Sequence, residues 1–217
     1  MTERMLPEHG SRKVITAAVF DLGGVLIDWD PEHLYRELIP DPGERHEFLT
    51  TICTPAWNAE MDAGRSVQES VAALASAHPD RAAVIEEWWT RWPEMLNGEI
   101  PDTRPLVETL SRSGLPLYAL TNWSAETWPL GVQRYPFVDE LFDGIVVSGQ
   151  ERIAKPDPRL FEILNDRYEL NPESTIYVDD SPANIETAGS IGYATHLFTT
   201  ADRLHRWLNE IGLLETS

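Results

Sequence analysis

The run Val14-Ile15-Thr16-Ala17-Ala18-Val19-Phe20 stops abruptly at Asp21, and Gly23 and Gly24 follow before a second apolar patch, Val25 to Ile27. A short, continuous run of β-branched and small residues bounded by turn residues is the pattern of a strand buried on both faces of a parallel sheet. Asp21 then stands at the carboxyl end of that strand, the edge of an open α/β sheet where ligands bind. The two glycines let the backbone turn tightly and come close to whatever binds there.

The rest of the chain divides around this strand. Residues 31–100 show helical spacing and no obvious strand. Ser66 with Glu69 forms a capping box ahead of Val67, Val71, Leu74 and Ala77. Asp80 is a candidate cap for a helix carrying Ala83, Val84, Trp88, Trp92 and Leu96 at helical intervals. From residue 101 strands and helices alternate. Strands are predicted at Leu115–Thr121, Gly144–Ser148, Thr175–Asp179 and Tyr193–Phe198. Helices between them begin at Thr103, near residue 124, at Asp157-Pro158 and at Ser181-Pro182, and a last one carries Leu204, Trp207, Leu208 and Ile211. That rhythm predicts a three-layer, doubly wound parallel sheet. Its core comprises residues 14–30 and 101–217, with residues 31–100 inserted as a helical cap over the ligand edge and residues 1–13 as a polar tail.

Composition narrows the function. The 217-residue chain carries a net charge of -19, which argues against nucleic acid or an anionic membrane as partner. Its one cysteine, Cys53, allows no internal disulfide and fits a reducing cytoplasm. No apolar run approaches the ~18 residues that a membrane span needs. The expectation is a cytoplasmic monomer or homodimer acting on a small molecule.

Four polar clusters each follow an apolar strand: Asp21; Thr121-Asn122; Lys155; and Asp179-Asp180 with Asn184. In a parallel sheet they converge on one edge. Three carboxylates brought together need a cation to remain ionised, and hard oxygen ligands beside a phosphate suit Mg²⁺. Asp21 is placed to attack phosphorus and form an aspartyl-phosphate. Lys155, the Thr121 hydroxyl and backbone N–H groups then stand ready to stabilise the phosphoryl charge.

Phe20-Asp21-Leu22-Gly23-Gly24-Val25, Leu120-Thr121-Asn122, Ala154-Lys155-Pro156-Asp157 and Val178-Asp179-Asp180-Ser181-Pro182-Ala183-Asn184 resemble, in order, the four motifs of the haloacid dehalogenase-like hydrolase superfamily. The insertion resembles that family's helical cap of the first type. The run Leu22 to Val25, Trp57 with Gly64, and Trp128 to Pro136 look closest to the branch containing α-D-glucose-1-phosphate phosphatases. The resemblance implies a Mg²⁺-dependent phosphatase acting on a small phosphorylated metabolite, with a sugar phosphate preferred. It implies metal ligation by Asp21, Asp180 and the Gly23 carbonyl, with Asp179 either binding the metal through water or holding Lys155. Asn184 either orients a metal-bound water or caps the next helix.

The sequence departs from the family at Gly23, where most of its phosphatases have a second Asp as general acid and base. Three readings stand. The substrate has an easily expelled leaving group; or another residue, among them Asp28, Asp30 and the cap side chains, supplies the proton; or catalysis is weak and the chain mainly binds phosphate. The superfamily's 2-haloacid dehalogenases also lack this Asp, but they work without metal and without the acid pair retained here at Asp179-Asp180. Among eight tryptophans, Trp57 and Trp123 are the candidates for lining a substrate pocket, and Trp88 and Trp92 for packing inside the cap.

Overall fold

The computed structural model describes residues 14–214, so the expected polar tail lies outside the described residues. Among the described residues there are seven strands: β1 (Ala17–Phe20), β2 (Ile27–Trp29), β3 (Leu96–Glu99), β4 (Leu117–Thr121), β5 (Gly144–Val147), β6 (Thr175–Asp179) and β7 (Ala194–Leu197). Five of them form one sheet in the order β5-β4-β1-β6-β7, with every neighbouring pair parallel. β1 is central, and all four of its residues are buried, as a strand covered on both faces must be.

Side chains alternate across β1 into two separate apolar layers. Ala18 and Phe20 join a core that includes Val107 and Leu110 of helix Thr103–Arg112 and Leu204 and Leu208 of helix Ala201–Glu210. Val19 joins the opposite core with Leu160, Phe161 and Leu164 of helix Pro158–Tyr168 and Ala188 of helix Pro182–Ile191. The result is the three-layer architecture expected from the sequence. Among the described residues, no helix is long and apolar enough to cross a membrane.

The inserted cap contains five helices, Pro31–Leu38, Pro42–Thr51, Pro55–Asp62, Val67–Ala77 and Ala82–Thr90. The first four are started by local chemistry. Asp30, Asp41, Thr54 and Ser66 each accept a hydrogen bond from a first-turn N–H, and a proline stands in the first turn of three of these helices, where its missing N–H costs nothing. Glu126, from the core, adds a second cap by accepting from the Val67 N–H at 3.1 Å. Aromatic rings fill the cap interior: Tyr35 lies 5.1 Å from Phe48 and 6.1 Å from Trp88, and Trp57 stands edge-on to Trp88 at 5.0 Å. Cys53 is buried there.

The end of the cap differs from the periodic reading. The helix expected to run through Leu96 stops at Thr90, and Arg81, not Asp80, occupies its N-cap position, without a side-chain bond. Pro93 supplies no N–H and crowds the preceding turn, so the chain tightens into a 3₁₀ turn, Trp92–Met95, and then extends as β3. β3 pairs antiparallel with β2, making a two-stranded ribbon where chain enters and leaves the cap. Leu96 is buried as a strand residue at a spacing that imitates a helix.

Candidate active site

The parallel register brings the ends of β1, β4 and β6 together, with Phe20 opposite Val178 and the Asp21 N–H donating to the Val178 carbonyl at 2.9 Å. Asp21, just beyond β1, is buried, and its Oδ1 accepts from the Leu22 N–H at 2.7 Å. Gly24 has φ +71°, and a Cβ there would lie 2.2 Å from Asp180 Oδ2. Only glycine lets this loop pass so close to the acid.

Lys155 is the centre of the charge arrangement. Its buried Nζ lies 2.8 Å from Asp21 Oδ2 and 2.7 Å from Asp179 Oδ2, and it donates to the Leu120 carbonyl at 2.7 Å. Burial works to lower the Lys155 pKa, but Asp21 and Asp179 offset it and hold the ammonium above its usual range. Asn122 fixes the loop that carries Lys155. Its Oδ1 accepts from the Lys155 N–H at 2.8 Å, and its Nδ2 donates to the Lys155 carbonyl at 3.0 Å. Both ends of the Asn122 amide, a candidate substrate ligand by its place after a buried strand, are therefore engaged in holding backbone.

Asp179 is similarly occupied. Besides Lys155 it accepts from Tyr177 Oη, from the Ser181 N–H at 2.8 Å and from Asn184 Nδ2 at 3.0 and 3.1 Å. Burial pushes the Asp179 pKa up, but Lys155 and these donors bring it below the ordinary value. Asp180 is more exposed, and burial and the neighbouring Asp179 raise its pKa. Carboxylate oxygens of Asp21, Asp179 and Asp180 come within 4.8 Å of one another. Burial, opposed by Lys155 and reinforced by Asp179, carries Asp21 up to about 7. One lysine cannot balance three acids, so a divalent cation fits this donor set. The buried Thr121 Oγ1 has no partner, leaving a donor free at the end of β4.

A pocket opens next to this cluster. It is lined by Gly23 and Asn122 from the core edge, by Trp123, Ser124 and Thr127 from the loop after β4, and by cap residues that include Asp62, Trp88 and Trp92. Trp123 Nε1 and Thr127 Oγ1 are buried there without partners. Trp57 is not among the lining residues and stands behind Trp88, while Trp88 and Trp92 serve both the cap interior and the pocket wall. Ser148, which carried no signal in the sequence, ties cap to core. Its Oγ donates to the Asp62 carbonyl at 2.6 Å and accepts from the Trp123 N–H at 2.9 Å. Asp62 also went unmarked, because its neighbours in the chain give no hint that it faces the strand ends.

The model of the haloacid dehalogenase-like hydrolase family matches residues 15–192. The chain is 28% identical over 180 residues to the sesquiterpene phosphatase astK of Aspergillus oryzae, covering 81% of this chain and 86% of that protein. It is 25% identical over 183 residues to a phosphorylated carbohydrates phosphatase of Thermotoga maritima, covering 81% of each. Its fold is similar to that of the HAD family enzyme bt-2542 of Bacteroides thetaiotaomicron, with a TM-score of 0.70 at 22% identity, covering 90% of this chain and 99% of that one. The same enzyme has been solved in complex with magnesium and inorganic phosphate, where the TM-score is 0.65 at 20% identity and coverage is 86% of this chain and 95% of that one. The matched span runs from the first strand through the helix after the fourth motif and takes in the whole cap, and the chain belongs to the haloacid dehalogenase-like hydrolase family.

Proposed function

We propose that this hydrolase is a Mg²⁺-dependent phosphomonoesterase acting on a small phosphorylated metabolite, with a sugar phosphate preferred. The observation that carries the reading is the charge imbalance at the sheet edge, where three carboxylates gather around one buried ammonium. Such a charge arrangement suits a second cation and the phosphoryl group that the cation accompanies. Asp21, Asp180 and the Gly23 carbonyl would hold Mg²⁺, with Asp179 beside them. When bound, the ion offsets negative charge on the phosphoryl oxygens.

The protein's own groups account for the remaining chemistry. Asp21 attacks phosphorus and becomes an aspartyl-phosphate, which water hydrolyses in a second step. Lys155 orients Asp21 and meets the developing charge, and Asp179 holds Lys155 in place. Thr121 Oγ1, which lacks a partner in the protein, is free to donate to a phosphoryl oxygen. The aromatic pocket supports the sugar preference. Indole faces suit the apolar side of a sugar ring, and the unpartnered Trp123 Nε1 and Thr127 Oγ1 suit its hydroxyls. Two relatives that match over 81% of this chain are named as phosphatases. The acid pair at the end of β6 weighs against metal-free dehalogenation.

The test is phosphate release from a panel of phosphorylated metabolites, with Mg²⁺ or with EDTA, for the wild type and Asp21→Asn. Turnover that needs metal and disappears in the variant is the expected result. Release that persists in Asp21→Asn, or hydrolysis of 2-haloacids in EDTA with none of phosphate esters, would overturn the reading.

A further inference from the structure

An alkoxide is a poor leaving group and needs a proton as its bond to phosphorus breaks. Gly23 has no side chain to give one. A Cβ placed on Gly23 would meet nothing within 4 Å, so the position where the family's acid would project is open space at the pocket wall. Two acids near in sequence are engaged elsewhere. Asp30 caps helix Pro31–Leu38. Asp28 lies 3.1 Å from His33 Nε2 and accepts from Asn97 Nδ2 at 3.0 Å. Burial works to raise the Asp28 pKa, but these partners hold it below the ordinary value.

One carboxyl does line the pocket together with Gly23, and it comes from the cap. Asp62 is the last residue of helix Pro55–Asp62. Asn58, one turn earlier, donates to Asp62 Oδ2 at 2.8 Å, and the Ser124 N–H is also directed at this carboxyl. The Asp62 carbonyl is tied through Ser148 Oγ to the Trp123 N–H. Trp123 and Ser124 follow Thr121 and Asn122 directly, so the loop that positions the phosphate site also positions this cap residue.

We propose that Asp62 is the general acid and base of this enzyme, reaching from the cap into the pocket beside Gly23. It takes this role only if the chain is a phosphomonoesterase, as proposed above. In the first step Asp21 forms its bond to phosphorus, the bond from phosphorus to the leaving oxygen breaks, and the Asp62 hydroxyl gives its proton to that oxygen, releasing an alcohol. In the second step the Asp62 carboxylate takes a proton from water. The water oxygen attacks phosphorus, the bond to Asp21 breaks, and phosphate leaves with both acids restored. The setting keeps Asp62 protonated for the first step. Burial raises its pKa to about 7 against the pull of Ser124, Asn58 and Lys155, and the negative end of its own helix favours the neutral form as well.

The experiment compares wild type and Asp62→Asn in Mg²⁺ on two kinds of ester. One is a set of sugar and alkyl phosphates, whose leaving alcohol needs a proton. The other is 2,4-dinitrophenyl phosphate, whose phenolate leaves without one. The expected loss in kcat on alkyl esters is about 10²–10⁴-fold. On the activated ester the variant gives a rapid burst of about one equivalent of phenolate followed by slow turnover, because only the second step still needs the base. The wild-type fall in rate above about pH 7 is absent from the variant. Gly23→Asp in the Asp62→Asn background restores alkyl turnover about tenfold or more, since the open space accepts the new side chain.

An equal loss in the rate of the first turnover on both kinds of ester, so that the activated ester shows no rapid burst, or unchanged rates on alkyl esters, would overturn the role of Asp62. If Asp62→Asn does not fold, the wild type decides: a shallow dependence of rate on leaving-group pKa supports a proton donor, and a steep one refutes it. A wild type inactive on every phosphate ester overturns the phosphomonoesterase reading itself. A wild type that is active on both, with a variant that matches it, overturns Asp62 alone.

Discussion

Asp62 also leaves a mark on folding that can be read without any substrate. Its pKa rises from 3.8 to about 7 in the folded protein, first because it is buried. Between those values the unfolded chain has released the proton and the native state still holds it. Proton binding then favours the native state at low pH, and that advantage is lost as pH rises from about 4 to about 7, after which it changes no further. In Asp62→Asn the group does not titrate. The variant therefore gains stability relative to wild type across the same window and holds the gain above it. At about 1.4 kcal/mol per pH unit, a shift of this size bounds the effect at roughly 4 kcal/mol. The residue keeps partial exposure to solvent, so screening reduces the expected gain to about 2 kcal/mol. Urea denaturation of both proteins in EDTA at several pH values between 4 and 8 measures the difference, and Asp21, common to both, largely cancels. A stability difference that stays level across this range would mean that Asp62 titrates alike in the folded and unfolded chains. The protonation argument would then fail.

Thr121→Val should separate stability from activity. The hydroxyl it removes is buried without a partner, so its loss leaves stability unchanged or raises it by about 1 kcal/mol, while kcat/KM falls by about 10²-fold if Thr121 meets the phosphoryl group in the transition state; thermal melts and steady-state kinetics check both signs. Lys155→Met should cost about 3–5 kcal/mol, because it strands Asp21 and Asp179 in the core without their shared cation. A loss below about 1 kcal/mol in urea denaturation would contradict that account.

Much of the fold is legible locally. A run such as Ala17–Phe20 declares itself because a strand buried on both faces has no use for polar residues. Asp30, Asp41, Thr54 and Ser66 declare helix starts because capping is decided within three or four residues. Asp21, Thr121 and Asp179 at the strand ends, and Lys155 in the loop beyond β5, are legible once the sheet is known to be parallel. Where two local signals compete the reading fails. Trp88, Trp92 and Leu96 keep helical spacing, but Pro93 breaks the backbone pattern that the spacing implies, and the chain forms β3 instead. Trp57 and Trp88 differ in a further way. Both carry the same apolar chemistry at positions that periodicity cannot rank, and only the three-dimensional path of the cap decides which ring faces the pocket.

The placement of Asp62 is the extreme case. It sits in a stretch, Met61-Asp62-Ala63-Gly64, that reads as an ordinary helix end, and its environment is made by residues far along the chain: Ser124, Ser148 and Lys155. Gly23 and Asp62 are separated by β2 and the first three cap helices, the third of which ends at Asp62, and each is unremarkable alone. A missing side chain at one wall and a carboxyl whose pKa burial raises at the other acquire meaning together, because cap and sheet edge line one pocket at that point. If the acid resides on the cap, the chemistry is complete only with the cap closed. Disrupting Ser148, which holds Asp62 to the core without touching Asp21, should then slow alkyl esters more than activated ones.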